Sequence, residues 1–119
     1  MTATAIELHI PVLPPSANRM NGYWRGRVCR TPAYERWLAA AGAIVNSQKP
    51  AGIVGAYKLS IQAVRQNKKA DIDNIIKPTS DLLQMCGVVA NDCHCEFVSA
   101  RWVTQGEGMT VRVERAVVG

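Results

Sequence analysis

The stretch Tyr57-Lys58-Leu59-Ser60-Ile61-Gln62-Ala63-Val64-Arg65, followed after a polar turn by Asp71-Ile72-Asp73-Asn74-Ile75-Ile76-Lys77-Pro78 and on to Cys86, decides the fold. The first part alternates, with Tyr57, Leu59, Ile61 and Ala63 on one side, which is the signature of a half-buried strand. In the second part Ile72, Ile76, Leu83 and Cys86, joined by Ile75 and Leu82, recur at helical spacing, so the reading is a helix from Asp71 to Cys86. Pro78 falls inside that run, where it must kink the helix or remove a hydrogen bond. Gly87 is placed to cap its C-terminus. A strand-like run thus meets a helix-like one at this segment.

On the N-terminal side, Ile6, Leu8 and Ile10 alternate in a first strand over residues 4–10, ended by Pro11, Pro14 and Pro15. Ser16 to Thr31 is rich in Asn, Gly and Arg without periodicity and reads as a long exposed loop, a form usually tied to function. Thr31-Pro32 has the residue types of a helix start. An Ala-rich helix follows to about Gln48, with Tyr34, Leu38, Ala41 and Val45 along one stripe, and Lys49-Pro50-Ala51-Gly52 ends it. On the C-terminal side two strands, around 95–104 and 109–116, are expected as a hairpin through Gly106-Glu107-Gly108. The expected class is α+β: one small domain over residues 1–119, with a mixed β-sheet packed on two main helices in the order β-α-β-α-β-β.

With 119 residues, nearly half of them hydrophobic, the chain can bury a core without disulfide or metal staples. No apolar run is long enough to span a bilayer and no signal peptide is apparent, so a cytoplasmic protein with reduced thiols is expected. Cys93-His94-Cys95 lacks the usual spacing of a structural zinc site, and ordinary cysteines beside a turn are the expectation.

The net charge of +5 favours a polyanionic partner. Its distribution is more telling than its size. No acidic residue separates Glu7 from Glu35, and Arg19, Arg25, Arg27 and Arg30 all lie in that gap. Arg65, Lys68, Lys69 and Lys77 form a second basic group, around Asp71 and Asp73. Two aspartates at this spacing suit a hard cation such as Mg²⁺, which prefers oxygen ligands. Beside lysines fit for a phosphate backbone, such a cation points to phosphodiester chemistry. Asp92, in Ala90-Asn91-Asp92, is the third carboxylate candidate. The same residues also admit a plainer reading: Asp71 as a helix N-cap, Asp81 as a solvated surface charge, Lys68 and Lys69 as a solvated turn, and Lys77 as the i,i+4 partner of Asp73. Tyr23 and Trp24 either stack on an unpaired base or pack back on the domain. Trp37 is assigned to the core, Trp102 to a strand face and His9 to a structural role.

Three motifs tie these residues to a known family. Pro11, Pro14, Pro15, Ser16, Asn18 and Arg19 form P-x-x-P-P-S-A-N-R; residues 71–83 form D-I-D-N-I-I-K-P-x-x-D-x-L; and Asn91-Asp92 leads into a strand. On these residues, and in overall length, the chain resembles the RusA-like endonucleases, small Holliday-junction resolvases of bacteria and their prophages. The resemblance implies that Asp71, Asp73 and Asp92 bind catalytic Mg²⁺, with Mn²⁺ as a substitute, and that Lys77 is an essential positive charge beside them. It further implies an α+β homodimer that recognises four-way DNA junctions by structure and nicks two opposing strands, with no small-molecule cofactor and no membrane. Asn18, Arg19, Arg25, Arg27, Arg30, Lys68, Lys69 and Asn74 are the expected DNA contacts. The chain departs from the family in having Asn91 where another acidic residue is common. It also has no aromatic in the helix after Lys77, which leaves Tyr23 or Trp24 to open the junction centre. Two rival readings remain at this point: a Mg²⁺-dependent nuclease of flaps or forks, and a basic nucleic-acid-binding module whose aspartates only cap a helix.

Overall fold

The computed structural model describes residues 4–15, 21–66 and 68–116, and the backbone alone at Tyr23 and Trp24. Strands β1 (Ala5–Ile10), β4 (Tyr57–Val64), β5 (Cys95–Val103) and β6 (Met109–Arg115) form one mixed sheet in the order β1-β6-β4-β5. A separate two-stranded ribbon is made by β2 (Asn21–Trp24) and β3 (Arg27–Arg30). Helices α1 (Pro32–Ser47) and α2 (Ile76–Met85) complete the α+β architecture.

The alternation read in the sequence becomes a one-sided sheet. Register pairs Leu8 with Val111 and Ile10 with Met109 across β1–β6, and Leu59 with Val113 and Ile61 with Val111 across β4–β6. All of these side chains are buried, whereas Glu7, His9, Lys58, Gln62 and Arg112 on the opposite face are exposed. The covered face meets Tyr34, Trp37, Leu38, Ala41 and Val45 of α1, and Leu82 and Leu83 of α2, in a single core. The expected α1 stripe is therefore the packed one, and Trp37 is a core residue whose indole N–H donates to the Val12 carbonyl at 3.2 Å.

Both helix starts follow from their capping chemistry. Thr31 accepts from the Tyr34 amide and Pro32 occupies the first turn of α1. The second helix differs from expectation: residues Ile72–Ile75 form a 3₁₀ turn and the α-helix begins only at Ile76. Pro78 explains this. It lies in the first turn of α2, where its missing N–H would have no helical partner anyway, so the helix neither kinks nor loses a bond. Gly87 closes α2 at φ 74°, with its amide on Gln84 and that of Val88 on Leu83, the paired bonds of a Schellman cap.

Two further expectations are corrected. The segment read as a loop from Ser16 to Thr31 contains the β2–β3 ribbon, turned at Arg25-Gly26 with positive φ at both residues (52° and 77°). Such a turn matches the twist of two paired strands. The C-terminal strands are not a hairpin. β5 runs parallel to β4, as a strand–helix–strand crossover through α2 requires, and β6 inserts on the other side of β4. Residues 104–108 thus cross the end of β4, where the Gly108 carbonyl accepts from the Val64 amide at 2.9 Å. The free edge of β1 is partly covered as well: the Gln48 amide both accepts from the His9 N–H and donates to its carbonyl, at 3.1 and 2.7 Å. Among the described residues no helix is long and apolar enough to cross a membrane.

Candidate active site

The 3₁₀ turn is a short platform with two faces. Ile75 is buried and Ile72 packs against the core, so the turn is pinned from below. Asp71 and Asp73 on it are both exposed, and Asn74 is half-buried. Asp71 stands at the capping position of the turn, yet its carboxylate makes no capping hydrogen bond. The plain capping role is thus unfilled, and the charge is left available to a ligand.

The loop that delivers this turn is fastened by Arg65. Its guanidinium donates to the Ala70 carbonyl at 3.0 Å and lies 5.3 Å from the centre of the Trp102 ring on β5. Lys68 and Lys69 ride on that loop, both exposed, next to the aspartates.

Asp92 arrives from the other direction. It opens a second 3₁₀ turn, Asp92–His94, capped by Asn91, whose side chain accepts from the Cys93 amide at 2.9 Å. Asn91 therefore has a structural role of its own, as the cap of this turn. The Asp92 amide donates to the Gln84 side chain of α2 at 3.2 Å, which ties this turn to the helix.

Lys77 joins the parts. Its ammonium lies 3.0 Å from Asp92 Oδ2 and 3.1 Å from Asp81 Oδ1. Hydrogen bonds to the Asp92 and Asp81 carboxylates raise its pKa above the ordinary lysine value, so it stays charged. Asp81 is held in turn by the Tyr34 hydroxyl at 2.6 Å. The pairing expected from spacing, Lys77 with Asp73, is replaced by Lys77 with Asp81. The reason is local: Asp73 sits in the tighter 3₁₀ turn, whereas Lys77 and Asp81 share a regular α-helix and stack one turn apart. Asp81 is also not the solvated charge expected of it, since its side chain is only 17 % exposed. Its spacing from Lys77 was visible in the sequence; the contact with Tyr34, on another helix, was not.

Tyr57 lies beneath this region, at the start of β4 opposite Cys95. Its hydroxyl is fully buried without a hydrogen-bond partner. Burial, followed by the Cys95 and Asp92 charges, pushes its pKa up to about 12. Leaving a buried hydroxyl unsatisfied costs about 1–3 kcal/mol. Tyr57→Phe is therefore expected to raise stability by about 1 kcal/mol, read as a higher urea midpoint at unchanged slope; a lower midpoint would show that the hydroxyl is satisfied in solution.

The basic residues fall into two places. Arg25, Arg27 and Arg30 line the β2–β3 ribbon and are exposed. Arg30 lies over the Tyr34 ring at 5.6 Å, and it borders an open groove of about 270 Å³ with Asp81, Gln84 and Met85. That groove links Arg30 of the ribbon to Asp81, a partner of Lys77. Asn18 and Arg19 lie outside the described residues, as do the side chains of Tyr23 and Trp24.

The donor set can be judged against a divalent cation. Asp71, Asp73 and Asp92 offer the hard carboxylate oxygens such an ion prefers. In donor chemistry these residues suit the ion, while Asp92 Oδ2 is already engaged by Lys77. Among the described residues, no three acidic, His or Cys side chains converge on one point.

The chain is similar to known proteins over most of its length. The family described as "Endodeoxyribonuclease RusA" matches residues 11–114. A curated relative from Aquifex aeolicus (strain VF5), named "Crossover junction endodeoxyribonuclease RusA", is 31% identical over 91 residues, which span 73% of this chain and 71% of the relative. The matched segment of the family includes both 3₁₀ turns, α2 and the arginine ribbon.

Proposed function

The chain belongs to the RusA endodeoxyribonuclease family, and from that premise we propose that it resolves four-way DNA junctions by Mg²⁺-dependent nicking of two opposing strands. The observation that carries this reading is the Lys77 ammonium held against Asp92, beside a turn whose Asp71 and Asp73 carboxylates project into solvent. A basic module that only grips phosphate would gain nothing from carboxylates at its contact surface, because they repel the ligand.

In this reading Asp71, Asp73 and Asp92 hold the metal and Lys77 is the catalytic positive charge. A metal held there would supply an activated water and neutralise charge on the phosphate. The protein's own groups do the rest. Lys77, charged and pinned on one side by Asp81, stands where a scissile phosphate meets the acidic turn. The exposed Lys68 and Lys69 steer the backbone toward it, and Asn74 adds an amide from the same turn. Arg25, Arg27 and Arg30, with Asn18 and Arg19, bind the flanking duplex arm. Such contacts lose strength steeply as salt rises.

One chain carries one such site, and two symmetric nicks need two. A two-fold homodimer supplies the second with no further sequence. The stripe on α1 is spent in the core, whereas the outer edge of β5 has no strand partner among the described residues and leaves Phe97 and Val98 exposed. That edge is the better seat for a second copy. A bacterial or prophage setting in the cytoplasm accords with this activity.

The test is a gel assay of the purified protein on four-way junction, flap and linear duplex, each with Mg²⁺ or EDTA. Paired symmetric nicks confined to the junction and dependent on Mg²⁺ are expected. Equal cutting of flaps would move the function to branched DNA in general, and binding without any cleavage would overturn the enzyme.

A further inference from the structure

Asp81 is the acidic residue whose placement the nuclease site leaves unexplained. Both its oxygens are engaged: Oδ2 accepts from the Tyr34 hydroxyl at 2.6 Å and Oδ1 faces the Lys77 ammonium at 3.1 Å. Tyr34 is a rigid anchor. It is buried in α1, its ring stacks on Trp37 at 6.2 Å, and burial together with the Asp81 hydrogen bond raises its pKa well above the ordinary value, so it remains a donor. A tyrosine on α1 thus holds the Asp81 carboxylate of α2 against the lysine one turn earlier on the same helix. On its far side the same ammonium holds Asp92 at 3.0 Å.

This creates a conflict and also its resolution. Asp92 is a proposed metal ligand, and its Oδ2 already carries the charge of Lys77. A divalent cation and an ammonium sharing one carboxylate oxygen repel each other strongly. Lys77 must leave Asp92 Oδ2 for a metal to take that oxygen, and without a second partner it would swing out to solvent, for its side chain is 59% exposed. Asp81 provides that partner within the present reach of the ammonium.

We infer that Asp81, fixed by Tyr34, is a positioning residue that offers the Lys77 ammonium a second seat, so that a divalent cation takes Asp92 while Lys77 stays at the site. The inference rests on the reading of Asp92 as a metal ligand. Asp81 acts through Lys77 and touches neither metal nor DNA.

The test reads Mn²⁺ affinity, by electron paramagnetic resonance of the free ion, in the absence of DNA. Four proteins are compared: the wild type, Asp81→Asn, Lys77→Met and the double variant. Asp81→Asn is expected to weaken Mn²⁺ binding about 10-fold, the scale at which loss of a group supporting a ligand acts. Lys77→Met should bind more tightly than the wild type, and adding Asp81→Asn to it should change nothing further. Wild-type affinity in Asp81→Asn overturns the inference. So does equal weakening with and without Lys77, which would mean that Asp81 contributes only its charge. Should Asp81→Asn fail to fold, Tyr34→Phe keeps the stacked ring and removes only the hydroxyl; a loss of about 2-fold that vanishes in the Lys77→Met background supports the inference, and unchanged affinity overturns it. If Asp92→Asn binds Mn²⁺ as the wild type does, the metal-site reading itself fails, an outcome separate from these.

Discussion

Lys77→Met is expected to lower the single-turnover rate of junction cleavage on the order of 1000-fold, about 4 kcal/mol of barrier, while the protein stays folded and still binds the junction. The two halves of this expectation have different physical origins. Lys77 is 59% exposed at the side chain, which screens its end of both ion pairs, although Asp81 is only 17% exposed. Pairs of that kind contribute about 0–1 kcal/mol to folding, so the melting temperature should move little. Catalysis loses much more, because a fixed ammonium beside the reacting phosphate stabilises charge that develops only in the transition state. Methionine keeps the length of the side chain and its helix propensity, which confines the change to the charge. Lys77→Arg is a useful companion. Its planar fork cannot satisfy Asp81 and Asp92 from a single nitrogen, so partial rescue at most is expected. Full activity in Lys77→Met would remove Lys77 from the mechanism.

The second large effect concerns the fold. Gly108→Val is expected to destabilise the protein by about 4 kcal/mol, the sum of a strained backbone and an overpacked contact. A Cβ added at Gly108 would fall 2.1 Å from the Ile10 carbonyl oxygen and 2.4 Å from the Pro11 carbonyl carbon. Both obstacles are backbone, with no flexible side-chain end to yield. The residue also has φ 64°, which a β-branched residue rarely adopts. Its position multiplies the damage: the Gly108 carbonyl receives the last amide of β4 just before β6 enters between β4 and β1. For a domain whose total stability is about 5–15 kcal/mol, such a loss leaves a marginal fold. A fall in melting temperature of roughly 15 °C or more is expected, and a fall of a few degrees would mean that the β1 end can move aside. Gly106, at φ 101° but with only the Val64 side chain nearby, should tolerate alanine better.

Local periodicity carried the main elements because it reports burial directly. Tyr57, Leu59, Ile61 and Ala63 had to share a face, and so did Tyr34, Leu38, Ala41 and Val45; the core contains them all. The β2–β3 ribbon gave no such signal. The described side chains of β3 are exposed on both faces, and its turn is Arg-Gly instead of the stronger Asn-Gly. The order β1-β6-β4-β5 was not legible either, since neighbours in a sheet are chosen by long-range packing, and two consecutive strands invite a hairpin reading whenever a glycine-rich turn joins them.

At the site the same divide holds. Asp71, Asp73, Lys77 and Asp92 stood out by residue type, spacing and likeness to a family. The hydrogen-bonded chain from Tyr34 through Asp81 and Lys77 to Asp92 did not, because it joins α1, α2 and the second 3₁₀ turn. Asp81 belonged to a motif but was read as a solvated surface charge. Only the tyrosine 47 residues earlier distinguishes the two.

The account depends most on the exposed carboxylates of the first 3₁₀ turn, and Asp73→Asn tests them directly. Asp73 lies on the surface of that turn, so the amide should leave the fold unchanged within about 0.5 kcal/mol. Wild type and variant are run side by side on one labelled four-way junction in Mg²⁺, with binding read by mobility shift in the same reactions. An Asp73→Asn protein that shifts the junction as the wild type does and leaves both strands intact is the predicted result; one that nicks the junction at the wild-type rate would contradict the account.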